Sequence, residues 1–186
     1  KMAEVSPRYI EAVVGYEDRY FWWHPGVNPF ALLRAAGQWL WHGRIVSGGS
    51  TLTMQVVRML EPQPYTSRTP AGKLRQIVRA VQLELRLSKR EILDLYLTYA
   101  PMGGVLEGVE AASRAYLGKS SISLSHAEAA MLAVLPQSPS LLRPDRFPQR
   151  TREARDKVLE RLTSRWGAEV IADARSEPVI ALAVRE

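Results

Sequence analysis

Glu17-Asp18-Arg19-Tyr20-Phe21-Trp22-Trp23-His24-Pro25-Gly26 sets a carboxylate pair directly before four aromatic residues, a histidine and a glycine. Aromatic walls strip water from a carboxylate and favour its protonated form, which readies it to take a proton near neutral pH. The carboxylate pair is therefore a candidate proton acceptor. A helix-end turn with surface acids over core aromatics uses the same residue types. A second segment, Gly48-Gly49-Ser50-Thr51-Leu52-Thr53-Met54-Gln55, runs a glycine pair into a helix start. Free N–H groups and two hydroxyls at such an end suit a phosphate or pyrophosphate, and Arg58 follows on the same helix. The spacing is not that of a P-loop, because no lysine follows the second glycine as that motif requires. A plain capped helix after a tight turn is the competing account.

Other chemistries are excluded by composition and spacing. The 186 residues include no cysteine, which removes disulfides, thiolate metal sites and a cysteine nucleophile. His24, His42 and His126 lack metal-ligand spacing, and no HExxH, nucleophile elbow or dinucleotide fingerprint occurs. Packing or capping is the ordinary role of such histidines.

Charge is concentrated. Between Arg58 and Arg90 stand eight basic residues against Glu61 and Glu84, a surplus equal to the whole net charge of +6. Such a stripe implies an anionic partner or a solvated helix face. A nucleic-acid module would interleave aromatics with the basic residues, and residues 66–90 contain none.

The elements that must position these groups read as helices. Ser6-Pro7, Asn28-Pro29 and Thr69-Pro70 pair a capping side chain with proline at the first helical position. Ser88 to Glu91 and Ser125 to Glu128 read as capping boxes. Helices are expected near 7–18, 29–42, 51–60, 70–87, 89–99, 106–117, 126–135, 149–165 and 168–175. No stretch alternates convincingly as a strand; Pro178 to Val184 is the one candidate, in this domain or a neighbouring one. The expected class is all-α, in one domain without repeats. No run of about 18 apolar residues is present, so no segment spans a bilayer. From the abrupt ends an excised domain is expected, which leaves room for a membrane anchor outside it. Leu32, Leu33, Trp39, Leu40 and Trp41 make a strongly apolar helix. Core packing explains it, and so does contact with a membrane interface, where indoles concentrate.

Taken together, these segments resemble the peptidoglycan glycosyltransferase domain of class A penicillin-binding proteins, glycosyltransferase family 51, most closely the 1C type. Residues 17–26 match the family's first motif, E-D-x-x-F-x-x-H-x-G, and residues 48–55 match G-G-S-T-[IL]-T-Q-Q apart from Met54. The R-K-x-x-E motif falls on Gly72 to Gln76, and K-x-x-I-L-x-x-Y-L-N on Lys89 to Thr98. A fifth region surrounds Ala127 to Ala130 and Leu135 to Ser140. The ordered set covers about residues 8–165.

The resemblance implies a lysozyme-like fold with a large head lobe and a small membrane-facing jaw at about 28–65. It implies a glycosyltransferase domain over residues 1–175, with 176–186 as an extension or the start of a linker to a transpeptidase domain. It implies polymerisation of lipid II into glycan strands at the outer leaflet of the cytoplasmic membrane, on the periplasmic face, by a chain anchored through an N-terminal transmembrane helix. Glu17 would deprotonate the acceptor 4-hydroxyl, with inversion at the anomeric carbon and release of lipid pyrophosphate. Asp18, Gly49, Ser50, Thr51, Gln55, Arg58, Lys73 and Gln76 match positions lining the donor site, and Arg34 and Arg44 match basic positions beside the cleft. Lipid II and the nascent glycan are the implied partners, and nucleic acid is not. No cofactor is required by the resemblance, and Mg or Mn at the diphosphate is compatible with it. Gln76 stands where the family has a second Glu, and an amide hydrogen-bonds but does not ionise. Glu84 is the only acid on that helix. The alternatives are a lysozyme-like peptidoglycan hydrolase and a catalytically weakened scaffold that binds glycan or lipid II.

Overall fold

The structure, a computed structural model, describes residues 1–30, 32–34, 37, 50–61 and 69–184. The chain forms two compact units, one of Lys1–Tyr16 with Leu97–Glu186 and one of Glu17–Tyr96.

In the first unit, helix α1 (Pro7–Glu17) buries Tyr9, Ala12 and Val13. Gly15 lies on it because a Cβ there would meet Leu162 Cδ2 at 2.7 Å. After α4 (Lys89–Tyr99) come the short antiparallel strands β1 (Pro101–Gly103) and β2 (Leu106–Glu107), joined by a turn. Helix α5 (Val109–Ala112) continues as one π turn to Leu117. Helix α6 (His126–Val134) is apolar nearly all round and buries seven of its nine residues, as a central core helix must. It starts in the expected capping box, with Ser125 accepting from the Glu128 amide and Glu128 accepting from that of Ser125. Helix α7 (Pro148–Arg161) packs on α6 and buries Val158 and Leu159, followed by α8 (Thr163–Trp166) and α9 (Ala168–Ser176).

Two expectations need correction here. The segment expected as one helix over 106–117 opens as a strand, because Leu106 and Glu107 pair with β1 and helix begins only at Val109. Pro178 to Val184 forms no strand. Buried arginines hold this region instead. Arg155 donates to the carbonyls of Arg175 and Glu177, and Arg143 donates to that of Val184 while pairing with Asp145. A short strand whose partner is six residues away gives too few residues for alternation to be visible.

The second unit is built around helices α2 (Leu52–Leu60) and α3 (Pro70–Glu84). Each has its threonine cap: Thr51 accepts from the Met54 amide and Thr69 from that of Gly72. Met54, Val57 and Ala80 form the core, with Val27, Ile77 and Leu83 packed on it. The start of α4 adds the buried Ile92, Leu93 and Tyr96. Residues 29, 30, 32–34 and 37 are helical, and the rest of the helix expected over 29–42 lies outside the described residues.

Candidate active site

Everything expected to act on substrate and described here lies in the second unit. Glu17 is the last residue of α1 and is half-buried. Gln55, on α2, donates its side-chain amide to Glu17 Oε2 at 3.1 Å. A donor aimed at one carboxylate oxygen fixes the rotamer and favours the ionised form.

Asp18 faces inward, its side chain only 3% exposed. Both its oxygens lie 2.9 Å from His24 Nε2, and Oδ2 also accepts the Leu52 amide at 2.9 Å. A carboxylate only accepts, so Nε2 carries the hydrogen. Nδ1 is buried without a partner. Asp18, expected at the donor site, thus ties the aromatic turn to the first residue of α2. Thr51 is likewise buried. Besides capping α2, it donates to the Gly26 carbonyl at 2.6 Å. Gly26 itself has φ +87°, and a Cβ there would lie 2.8 Å from the Ala80 carbonyl. Only glycine suits both the backbone and the space.

Of the four aromatics in the motif, only Phe21 is buried; it packs edge-on to Trp22 and His24. Tyr20, Trp22 and Trp23 are exposed. The expected aromatic wall is therefore a turn wrapped on Phe21, and the group bonded to Glu17 is an amide.

A cationic cluster lies at the start of α3. Lys73 Nζ donates to Ser50 Oγ at 2.5 Å and to Gln76 Oε1 at 3.4 Å. Burial, and next the neighbouring Arg58 charge, hold Lys73 below the usual lysine range. Among the described residues no carboxylate pairs with Lys73 or Arg58. Gln55 and Arg58 are three residues apart on α2, about 4.5 Å along its axis, so the helix carries the Glu17 partner and one of the two cations on adjoining turns. Lys73 with neutral acceptors, beside an Arg58 that also lacks a described counter-anion, is an arrangement suited to an anion. The same donor set does not fit a protein-held divalent cation. Position 76 offers an amide already turned to an ammonium, and among the described residues no three His, Asp or Glu side chains converge.

Arg34 is exposed, Leu33 is 71% exposed, and Leu32 is half-buried. Phe30, which sequence reasoning passed over, is 81% exposed. Arg44, Gly49, Trp39, Leu40 and Trp41 lie outside the described residues. Sequence reasoning also assigned no role to Thr53 and Lys89. Thr53 Oγ1 and Lys89 Nζ each donate to Glu84 Oε1 at 2.6 Å. Lys89 heads a quoted motif, but its partners are 5 and 65 residues away.

The transglycosylase family model matches residues 1–163. The chain is 61% identical over 178 residues to penicillin-binding protein 1C of Escherichia coli, covering 95% of this chain and 23% of that protein. It is 41% identical over 164 residues to penicillin-binding protein 1A of Pseudomonas aeruginosa, covering 87% and 20%. The crystal structure of penicillin-binding protein 1A from Haemophilus influenzae is similar at 27% identity and a TM-score of 0.50, over 72% of this chain and 17% of that one. The chain thus spans roughly a quarter or less of the curated relatives it matches. The family match covers both the carboxylate turn and the cationic cluster, and the chain, mostly helical and lysozyme-like, belongs to the transglycosylase family.

Proposed function

We propose that this chain is a peptidoglycan glycosyltransferase that polymerises lipid II. Glu17 takes the proton of the acceptor 4-hydroxyl as its oxygen attacks the donor anomeric carbon from the face opposite the leaving group. The new C–O bond forms, the bond to the lipid diphosphate breaks, and configuration inverts. Lys73 and Arg58 neutralise the charge developing on the departing diphosphate. A diphosphate is a good leaving group, so no second carboxyl is needed to protonate it, as a glycoside hydrolase would require. Asp18, Thr51 and Gly26 hold the turn; Ser50 and Gln76 hold Lys73.

The observation that carries this reading is the pairing, within one unit, of a hydrogen-bonded Glu17 with a Lys73–Arg58 cluster lacking any described counter-anion. That cluster disfavours the hydrolase alternative, whose substrate has no diphosphate.

In the same reading residues 1–175 are the glycosyltransferase domain, 28–65 its membrane-facing jaw, and a full-length chain continues to a transpeptidase domain. The exposed Phe30 and Leu33 support contact with the outer leaflet of the bacterial inner membrane. No helix of the described residues is long and apolar enough to cross a membrane. The cations handle the diphosphate, and no step is assigned to a metal.

The test is polymer formation from lipid II in detergent. Wild type is expected to yield glycan polymer and Glu17→Gln none. Equal yield from Glu17→Gln removes Glu17 as the base, and solubilisation of finished peptidoglycan without use of lipid II favours the hydrolase.

A further inference from the structure

The Lys89 ammonium has three partners in three directions. It donates to Glu84 Oε1 and to the His24 carbonyl, each at 2.6 Å, and lies 4.6 Å from the centre of the Phe21 ring. Glu84 Oε1 also accepts from Thr53 Oγ1 at 2.6 Å. Both charged side chains are largely enclosed, 19% exposed for Lys89 and 10% for Glu84. An ammonium with its N–H directions so satisfied, facing a ring, is held in one place.

What the pair joins matters more than its own bonds. Through His24 and Phe21, Lys89 grips the aromatic turn, and His24 in turn holds Asp18, the neighbour of Glu17. Through Thr53, Glu84 grips α2 two residues before Gln55, the donor to Glu17. Both ends of the Gln55–Glu17 bond are thus linked to one ion pair, Gln55 through Thr53 on α2 and Glu17 through Asp18 and His24.

We propose that Lys89 and Glu84 are positioning residues for the reaction, setting the Gln55–Glu17 bond by clamping the aromatic turn to α2. The inference rests on the glycosyltransferase reading for its kinetic consequence and on geometry alone for the clamp. A displacement of a base by a fraction of an ångström acts on the chemical step and leaves substrate affinity nearly unchanged.

The experiment compares wild type with Lys89→Met, Glu84→Leu and Lys89→Arg. Its readouts are lipid II polymerisation kinetics, the NMR resonances of the Gln55 side-chain amide, and the exchange rate of the Leu52 amide. Lys89→Met and Glu84→Leu are expected to lower kcat about tenfold or more with KM within about twofold. The Gln55 resonances should move to free-amide positions and the Leu52 amide should exchange faster. Lys89→Arg should recover most of kcat. Should Lys89→Met fail to fold, Thr53→Val removes only the hydroxyl tie at constant volume and carries the same readouts. A lower Tm with kcat and the Gln55 resonances unchanged overturns the proposal, and so does a raised KM at constant kcat. If wild type makes no polymer, the glycosyltransferase reading fails, and the Gln55 and Leu52 signals still decide for or against the clamp.

Discussion

Gln55 donates to Glu17 Oε2 at 3.1 Å, a hydrogen bond within the second unit that spans 38 residues of sequence. In the proposed reaction this bond holds Glu17 in place as the base. Gln55→Leu removes the donor at similar bulk, and kcat for lipid II polymerisation is expected to fall about tenfold or more with a smaller change in KM. Steady-state kinetics checks this; an unchanged kcat would mean that Glu17 is positioned by other contacts.

Asp18 accepts from His24 and from the Leu52 amide in a buried setting. Asp18→Ala leaves two buried donors without an acceptor, at roughly 1–3 kcal/mol each. Urea unfolding should show that loss as a lower midpoint. Asp18→Asn, which keeps one acceptor oxygen, should lose less. If Asp18 instead contacts substrate, the main effect of Asp18→Ala will be on KM at undiminished stability.

Lys73 is held below the usual lysine range by burial and by Arg58. In the proposed reaction its charge meets the diphosphate, so activity should decline as pH rises through its lowered value, earlier than for an ordinary lysine. Because the folded state disfavours the lysine proton, the fold gains stability as pH rises through the same window. Gln76→Glu sets a carboxylate where Lys73 now meets an amide. The alkaline limb should move to higher pH, and inhibition by inorganic pyrophosphate should weaken by about three- to tenfold. A pH–rate profile of both proteins, with and without pyrophosphate, checks the pair of effects.

In the first unit, burial lowers the pKa of His126, with the Arg8 charge adding to it; the ring packs edge-on to Trp166. The unfolded chain then binds this proton more readily than the native state. The contribution of His126 to stability is complete above the ordinary histidine value, about 6.5, and is lost as pH falls from there to the lowered native value. His126→Gln is expected to flatten the dependence of Tm on pH between about 7 and 5. Thermal unfolding across that range is the check, and an equally steep dependence in the variant assigns the effect elsewhere.

Phe30 and Leu33 are apolar and exposed. Phe30→Ser/Leu33→Ser is expected to reduce co-flotation with anionic liposomes, since each side chain contributes roughly 1.5–3 kcal/mol when fully buried. Equal flotation of the double variant would place membrane contact on other residues.

The sequence by itself determined the helices with caps. Thr51, Thr69 and Ser125 hold the helix starts their neighbours announce, because a cap is satisfied within three residues and needs no distant partner. It also determined which residues are chemically capable, since Glu17 and Lys73 are ionisable wherever they lie. It missed β1 and β2, too short to show a period, and it read Pro178 to Val184 as a strand when buried arginines hold that region without a ladder. Only the tertiary structure decided which capable residues are tied into the frame. Asp18 and Thr51 turned inward; Lys89, Glu84 and Thr53 proved to be linked beneath the aromatic turn. Apart from the Lys89–Glu84 pair, 5 residues apart, these ties span 25 to 65 residues, and a carboxylate or ammonium takes its role from the donors and acceptors that folding brings to it.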